Sequence, residues 1–330
     1  ITAFAVRPDD PNTIFTASAS GGAWKTVNGG TTWRPVFHRE TSVSLGAITL
    51  DPSNPEVVWV GTGEQNSVRS SSFGDGVYRS SDGGESWEHM GLRESRHIGR
   101  ILVHPENSDV VFVAALGSLW GPNPERGLYK TTVGGESWTK ILGPSEYTGV
   151  VDVAMDPRDP DVLFAATFQR ERRQWSMLGG GPESGLFRSA DGGESWTRVE
   201  SGFAAGDLGR IGITYCSGSP DILYSSAVGP DGGIFRSTDG GATWERRNRS
   251  IQSHWFYGEL VCDPEDPDRL YVPMTPLYVS EDGGATFRNL VRTAVHVDHH
   301  TLWVNPNDPR HLMVGNDGGV YISRDRGESW

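Results

Sequence analysis

The densest group of chemistry-bearing residues is His296-Val297-Asp298-His299-His300, followed by Asn316-Asp317. On an extended strand His296, Asp298 and His300 share one side, because side chains alternate with a period of two. Two imidazoles and a carboxylate suit zinc or another divalent ion, with Asp317 as a fourth ligand. Without metal, the carboxylates are expected to hydrogen-bond the histidines and raise their pKa, giving a pH-sensitive patch. Ordinary packing of an inner strand is the remaining alternative. No other cofactor is expected.

Three long polar segments form a second group. Segment 64–75 carries Glu64 and Arg69, 116–126 carries Trp120 and Arg126, and 168–183 carries Arg170, Arg172, Arg173 and Trp175. Two shorter stretches add Arg96 with His97, and His254 with Trp255. Arginine and tryptophan on loops of a rigid scaffold suit binding of a partner. The run Arg170-Glu171-Arg172-Arg173 is equally compatible with a solvated charge run.

The elements that position these residues follow from a repeat. Arg79-Ser80-Ser81-Asp82-Gly83-Gly84-Glu85-Ser86-Trp87 recurs seven times, the other copies ending at Trp33, Trp138, Trp196, Trp244, Phe287 and Trp330. An Asp early in a turn accepts hydrogen bonds from the turn's own backbone, and the Gly pair supplies positive φ. Asn28 and Val133 replace the Asp in two copies. Asn can make the same bonds and Val cannot, so the third turn is expected to be the weakest. One carboxylate per turn is too few for a calcium loop of the EF-hand kind.

A second signature precedes each turn: an apolar strand, a turn such as Asp51-Pro52-Ser53-Asn54-Pro55, and another apolar strand. Each repeat therefore holds four strands, labelled A to D, with the Asp-Pro turn between A and B and the Asp turn between C and D. No stretch has sustained helical periodicity. The spacing predicts an all-β, seven-bladed β-propeller of four-stranded antiparallel blades, with almost no α-helix. The repeats are approximately 1–38, 43–92, 96–143, 148–200, 207–249, 256–291 and 296–330, within a single propeller spanning 1–330. The B–C loops and D–A connections, which hold the loaded segments, would share one face.

Counting back five residues from the turn prolines places Ala3, Ala47, Arg100, Asp152, Glu259 and Thr301 in equivalent strand A positions. Arg100 and Asp152 come from adjacent blades, so an interblade salt bridge or a channel-lining site is expected.

Composition narrows the partners. Net charge is −13, which disfavours nucleic acid and anionic membranes. No apolar run is long enough for direct membrane insertion. Forty-three glycines among 330 residues suit a turn-rich chain. The two cysteines, Cys216 and Cys262, end equivalent strands one position out of register, so two free thiols are expected. The chain starts at Ile1 and stops within a repeat at Trp330, and it reads as a piece of a longer polypeptide with further domains.

These turns resemble the Asp-box, or bacterial neuraminidase repeat, propellers. That group includes sialidases, xyloglucanases, sortilin-type ectodomains and a photosystem assembly factor. The phrases Gly61-Thr62-Gly63-Glu64, Arg96-His97-Ile98-Gly99-Arg100 and Gly315-Asn316-Asp317-Gly318-Gly319 look closest to exported, sortilin-like bacterial repeat proteins and glycosyl hydrolases. The xyloglucanase resemblance implies a catalytic Asp in an Arg-Thr-Asp-x-Gly-Gly segment. Ala17-Ser18-Ala19-Ser20-Gly21-Gly22 matches it here, with Ala19 at the acid's place, so this segment alone is not expected to cleave xyloglucan. The sialidase set of three arginines, a Tyr–Glu pair and an Asp is fixed by no local spacing, although Arg100 and Arg210 are present. The resulting expectation is a non-enzymatic binding or scaffold propeller, periplasmic or extracellular, that engages a protein or glycan. The alternative is a glycoside hydrolase or lyase working from the same face.

Overall fold

The computed structural model describes residues 1–66, 71–252, 256–291 and 295–330. It is all-β, with one 3₁₀ turn at Arg93–Ser95 as the only helical element among the described residues. Seven antiparallel sheets follow one another along the chain as the blades of a β-propeller, in the order A-B-C-D in blades 1 to 6 and A-B-C in blade 7. Blade 2 is representative: Leu45–Leu50, Val58–Thr62, Val77–Ser80 and Glu88–His89. Blade 4 carries an additional strand, Met177–Gly179, beside its strand B at Leu163–Arg172. Blade 7 has three strands: His299–Val304, Leu312–Asn316 and Gly319–Ser323.

Two compact units emerge. One holds Thr2–Val153 with Gln169–Leu178; the other holds Ile1, Ala154–Phe168 and Gly179–Trp330. In the first, cores form where neighbouring blades meet, for example Phe15, Phe37, Val58, Val60 and Tyr78 between blades 1 and 2. In the second, Tyr224, Ile234, Leu260, Leu270 and Val272 pack in the same way between blades 5 and 6. The β-branched and aromatic residues of strands A and B are covered on both faces, which is why they read as continuous apolar runs.

The Asp turns close as their chemistry requires. Asp82 Oδ1 accepts from the Glu85 and Ser86 amides at 3.0 and 2.9 Å, and its Oδ2 accepts from Ser86 Oγ at 2.6 Å. Ser80 Oγ donates to Asp82 at 2.7 Å and accepts from Gly84 N at 2.8 Å. Asp191, Asp239, Asp282 and Asp325 repeat the pattern. Asn28 reproduces it through its amide. At Val133 the side-chain acceptor is lost, while the Thr131 hydroxyl contacts and the Glu136 N to Val133 O bond remain.

The cysteines correct the sequence reading. Cys216 and Cys262 form a disulfide, with Cα atoms 5.1 Å apart, that joins blades 5 and 6. Cys216 lies one residue beyond strand A of blade 5 (Ile211–Tyr215), where the turn begins, so strand alternation does not set its direction. No described helix is long and apolar enough to cross a membrane.

Candidate functional site

In the first unit the long loops are tied together from below. Arg126 is fully buried, and its guanidinium donates to the carbonyls of Tyr147 (3.1 Å), Gly121 (3.0 Å) and Ser118 (2.5 Å). Burial lowers its pKa to about 10. Arg170, also fully buried, donates to Gln65 O at 3.2 Å. His97 is buried beside them and donates through Nδ1 to Glu64 O at 2.8 Å. Burial, and then the Arg170 charge, push its pKa down to about 3, so it stays neutral. These three residues therefore hold the loops and do not form a binding surface. The solvated-run reading fails at Arg170 and holds at Arg173, which is exposed and paired with Glu171 at 3.0 Å.

Above this layer the aromatics face solvent. Trp175 is 80 % exposed, Phe73 65 % and Trp120 54 %. The Arg96 guanidinium sits 5.3 Å over the Phe73 ring. The loops bearing Trp120 and Trp175 are joined by the Arg172 amide, which donates to Leu119 O at 2.7 Å. Glu64 is half-buried, and its side chain accepts weakly from Asn66 Nδ2 at 3.5 Å. Arg100 Nε donates to Asp152 Oδ1 at 3.1 Å, an interblade salt bridge. Arg69, His254 and Trp255 lie outside the described residues.

In the second unit the histidine cluster takes a different form from the expected one. Strand A of blade 7 begins at His299, and Asp298 has φ 65°, in the left-handed region. Simple alternation across 296–300 therefore breaks down. His296 Nδ1 donates to Val297 O at 2.8 Å. Asp298 accepts from Tyr257 OH at 2.6 Å and from the Thr275 hydroxyl, and these bonds lower its pKa. His300 Nε2 donates to Asp317 Oδ1 at 2.9 Å, and the Tyr257 ring stacks on His300 at 5.6 Å. His296, Asp298, His300 and Asp317 thus do not gather as metal ligands. Among the described residues no group of three or more His, Cys, Asp or Glu is placed to hold a metal ion.

At His300 the expected upward pKa shift is reversed. Burial lowers His300 despite Asp317, and burial takes His299 to about 4. Glu259 Oε2 accepts from Leu302 N at 3.1 Å in strand A of blade 7. Tyr257 and Thr275, which complete this cluster, were not singled out from sequence. Tyr257 stood in a visibly aromatic D–A stretch, but Thr275 gave no signal.

The B–C turn of blade 1 carries no acid. It is closed by Ser18 Oγ, which accepts from Gly21 N at 2.9 Å and donates to Gly22 O at 3.1 Å, with Ala19 inside the turn.

A Sortilin-Vps10 family model (sortilin, neurotensin receptor 3) matches residues 75–204, and a BNR/Asp-box repeat model matches 235–246. A xyloglucanase from a Paenibacillus species is 26 % identical over 59 % of this chain and 20 % of its own length. A xyloglucanase from Acetivibrio thermocellus is 24 % identical over 84 % of this chain and 36 % of its own. The chain thus spans a fifth to about a third of the length of these relatives. Among solved structures, a GH74 xyloglucanase from Xanthomonas campestris aligns with all of this chain and 52 % of its own, at TM-score 0.71 and 18 % identity. YCF48 from Cyanidioschyzon merolae aligns with 97 % of this chain and 94 % of its own, at TM-score 0.59 and 18 % identity. The structural matches establish the fold. The sequence relatives overturn the expectation of a non-enzymatic scaffold, because they are enzymes, and a glycoside hydrolase fits them better. The chain is an Asp-box (BNR-repeat) β-propeller, near the sortilin-like and glycosyl-hydrolase proteins built from the same repeat.

Proposed function

We propose that this propeller is part of a glycoside hydrolase acting on a β-glucan of the xyloglucan type. The observation that carries this reading is the exposure of Trp120 and Trp175 on loops bound to one another, in a chain whose sequence relatives are xyloglucanases. Flat aromatic side chains present an apolar face of the kind that pyranose rings cover. Their two χ angles keep the entropic cost of fixing them low. The buried Arg126, Arg170 and His97 hold that surface in place before the polysaccharide arrives.

We place the protein outside the cytoplasm. The Cys216–Cys262 disulfide suits an oxidising compartment, and a polymeric glucan has to be met outside the cell. Its partner is then a glycan, with no nucleic acid involved.

The test is reducing-sugar release by the full-length protein from xyloglucan, mixed-linkage glucan and cellulose. Xyloglucan should be cleaved. Trp120→Ala with Trp175→Ala should raise KM roughly tenfold, about 1.4 kcal/mol of stacking. No release from any of the three substrates would contradict the reading.

A further inference from the structure

The geometry points to Asp317 as the general base of the proposed hydrolysis, positioned by His300. This assignment rests on the glycoside-hydrolase reading and deepens it.

The register within the blades isolates Asp317. Strand B pairs with strand C from Ile14, Val58, Val111, Leu163, Leu223, Leu270 and Leu312 in the seven blades. Five residues on stand Ala19, Gly63, Leu116, Phe168, Val228, Thr275 and Asp317. This is the first residue after strand B in blades 1, 2, 3, 5 and 7, while Phe168 lies within strand B of blade 4 and Thr275 a little beyond that of blade 6. Six blades fold with no ionisable group there. The turn of blade 7 is itself closed by Asn316 Oδ1, which accepts from Gly318 N at 2.9 Å, so Asp317 is not needed to make it. A carboxylate that the scaffold does not use, more than half exposed, is available to a ligand.

Its partner is equally unusual. In blade 7 His299 pairs with Asn316 and Thr301 with Gly315, which leaves His300 as the extra residue of a β-bulge. The corresponding bulges of blades 2 and 3 hold Gly46 and Gly99. A Cβ at either would meet a backbone carbonyl oxygen at 2.1 and 2.3 Å. Bulges re-aim side chains, and here the bulge turns an imidazole onto Asp317 Oδ1 at 2.9 Å. Tyr257 stacks on that imidazole and is itself anchored through its hydroxyl on Asp298 at 2.6 Å. One oxygen of Asp317 is thereby fixed, while Oδ2 has no protein hydrogen-bond partner among the described residues.

In the step assigned to it, Oδ2 takes a proton from water as the water oxygen bonds to the anomeric carbon. The glycosidic C–O bond breaks, and its oxygen is protonated by a second carboxylic acid of the protein.

The experiment uses the full-length protein on xyloglucan. Asp317→Asn should lower kcat by about 10²–10⁴-fold with KM little changed. Sodium azide should restore turnover to Asp317→Ala and give a glycosyl azide. His300→Ala should lower kcat by about ten- to a hundredfold, and His300→Gln, which keeps an N–H donor, should recover most of it. Ala19 and Val228 show that this turn folds without a carboxylate, so unchanged melting temperatures are expected. Asp317→Asn retaining more than a third of wild-type kcat overturns the assignment alone. A wild type that cleaves no β-glucan overturns the parent reading and this assignment with it.

Discussion

At one end of the blades the chain makes nearly the same C–D turn seven times, and at the other it makes seven different B–C connections. The Asp turns satisfy their own polar groups: in five of them the carboxylate accepts from the backbone and hydroxyl of the same turn. Those five carboxylates are taken up by their own turns. The Cys216–Cys262 bridge lies at this end too, in the A–B turn region of blades 5 and 6. The B–C connections run from a closed turn around Ala19 to the segment 168–183, and they carry the exposed aromatics and Asp317. Repetition marks what the fold requires, and departure from repetition marks what the fold does not explain.

Breaking the box end should cost stability and spare chemistry. Replacing both Cys216 and Cys262 by Ser opens a loop of sequence separation 46. It should cost about 4 kcal/mol in the chain-entropy account, seen as a lower denaturant midpoint. An unchanged midpoint would mean that the bridge constrains little. Asp82→Ala removes three accepted turn bonds and one from Ser80. The turn is solvated, so the expected loss is only about 1 kcal/mol, read by calorimetry.

Acid should act on the same turns together. Side-chain and backbone donors from Ser86, Ser195, Thr286 and Ser329 hold Asp82, Asp191, Asp282 and Asp325 at a pKa of about 2. A carboxyl whose folded pKa lies below its unfolded value of about 3.9 contributes stability that is fully present above that value. The contribution is lost as pH falls toward 2. The melting temperature should therefore change little from these groups between pH 7 and 5, then fall below about pH 4. A decline already under way at pH 6 would point to other groups.

The smallest effect sharpens the comparison by repair. Val133→Asp should let Ser137 complete the third turn and gain about 0.5–1 kcal/mol. No gain would show that the Thr131 contacts already suffice there.

The same contrast explains what could be read in the sequence. The Asp turns were legible because their bonds span at most four residues, so residue type and spacing determine them. Blade count and strand order followed from their spacing. The disulfide was not legible, since Cys216 sits just past its strand and its direction comes from the turn. Nor was the burial of Arg126 and Arg170: Arg170 reaches the Gln65 carbonyl, 105 residues away, and Arg126 is held by irregular loop carbonyls whose direction no local pattern sets. His296-Val297-Asp298-His299-His300 misled for a backbone reason: left-handed Asp298 and the bulge at His300 interrupt the alternation on which a shared ligand face depended. Only the pairing of His300 with Asp317 survives from that expectation.

The division between the two ends is tested most directly by measuring melting temperature and kcat/KM on xyloglucan, side by side, for full-length Asp82→Ala and Asp317→Asn. Asp82→Ala should melt lower and keep wild-type kcat/KM at temperatures where it is folded. Asp317→Asn should keep the wild-type melting temperature and lose at least about a hundredfold in kcat/KM. Activity lost in the box variant while it remains folded, or retained in Asp317→Asn, would contradict the account.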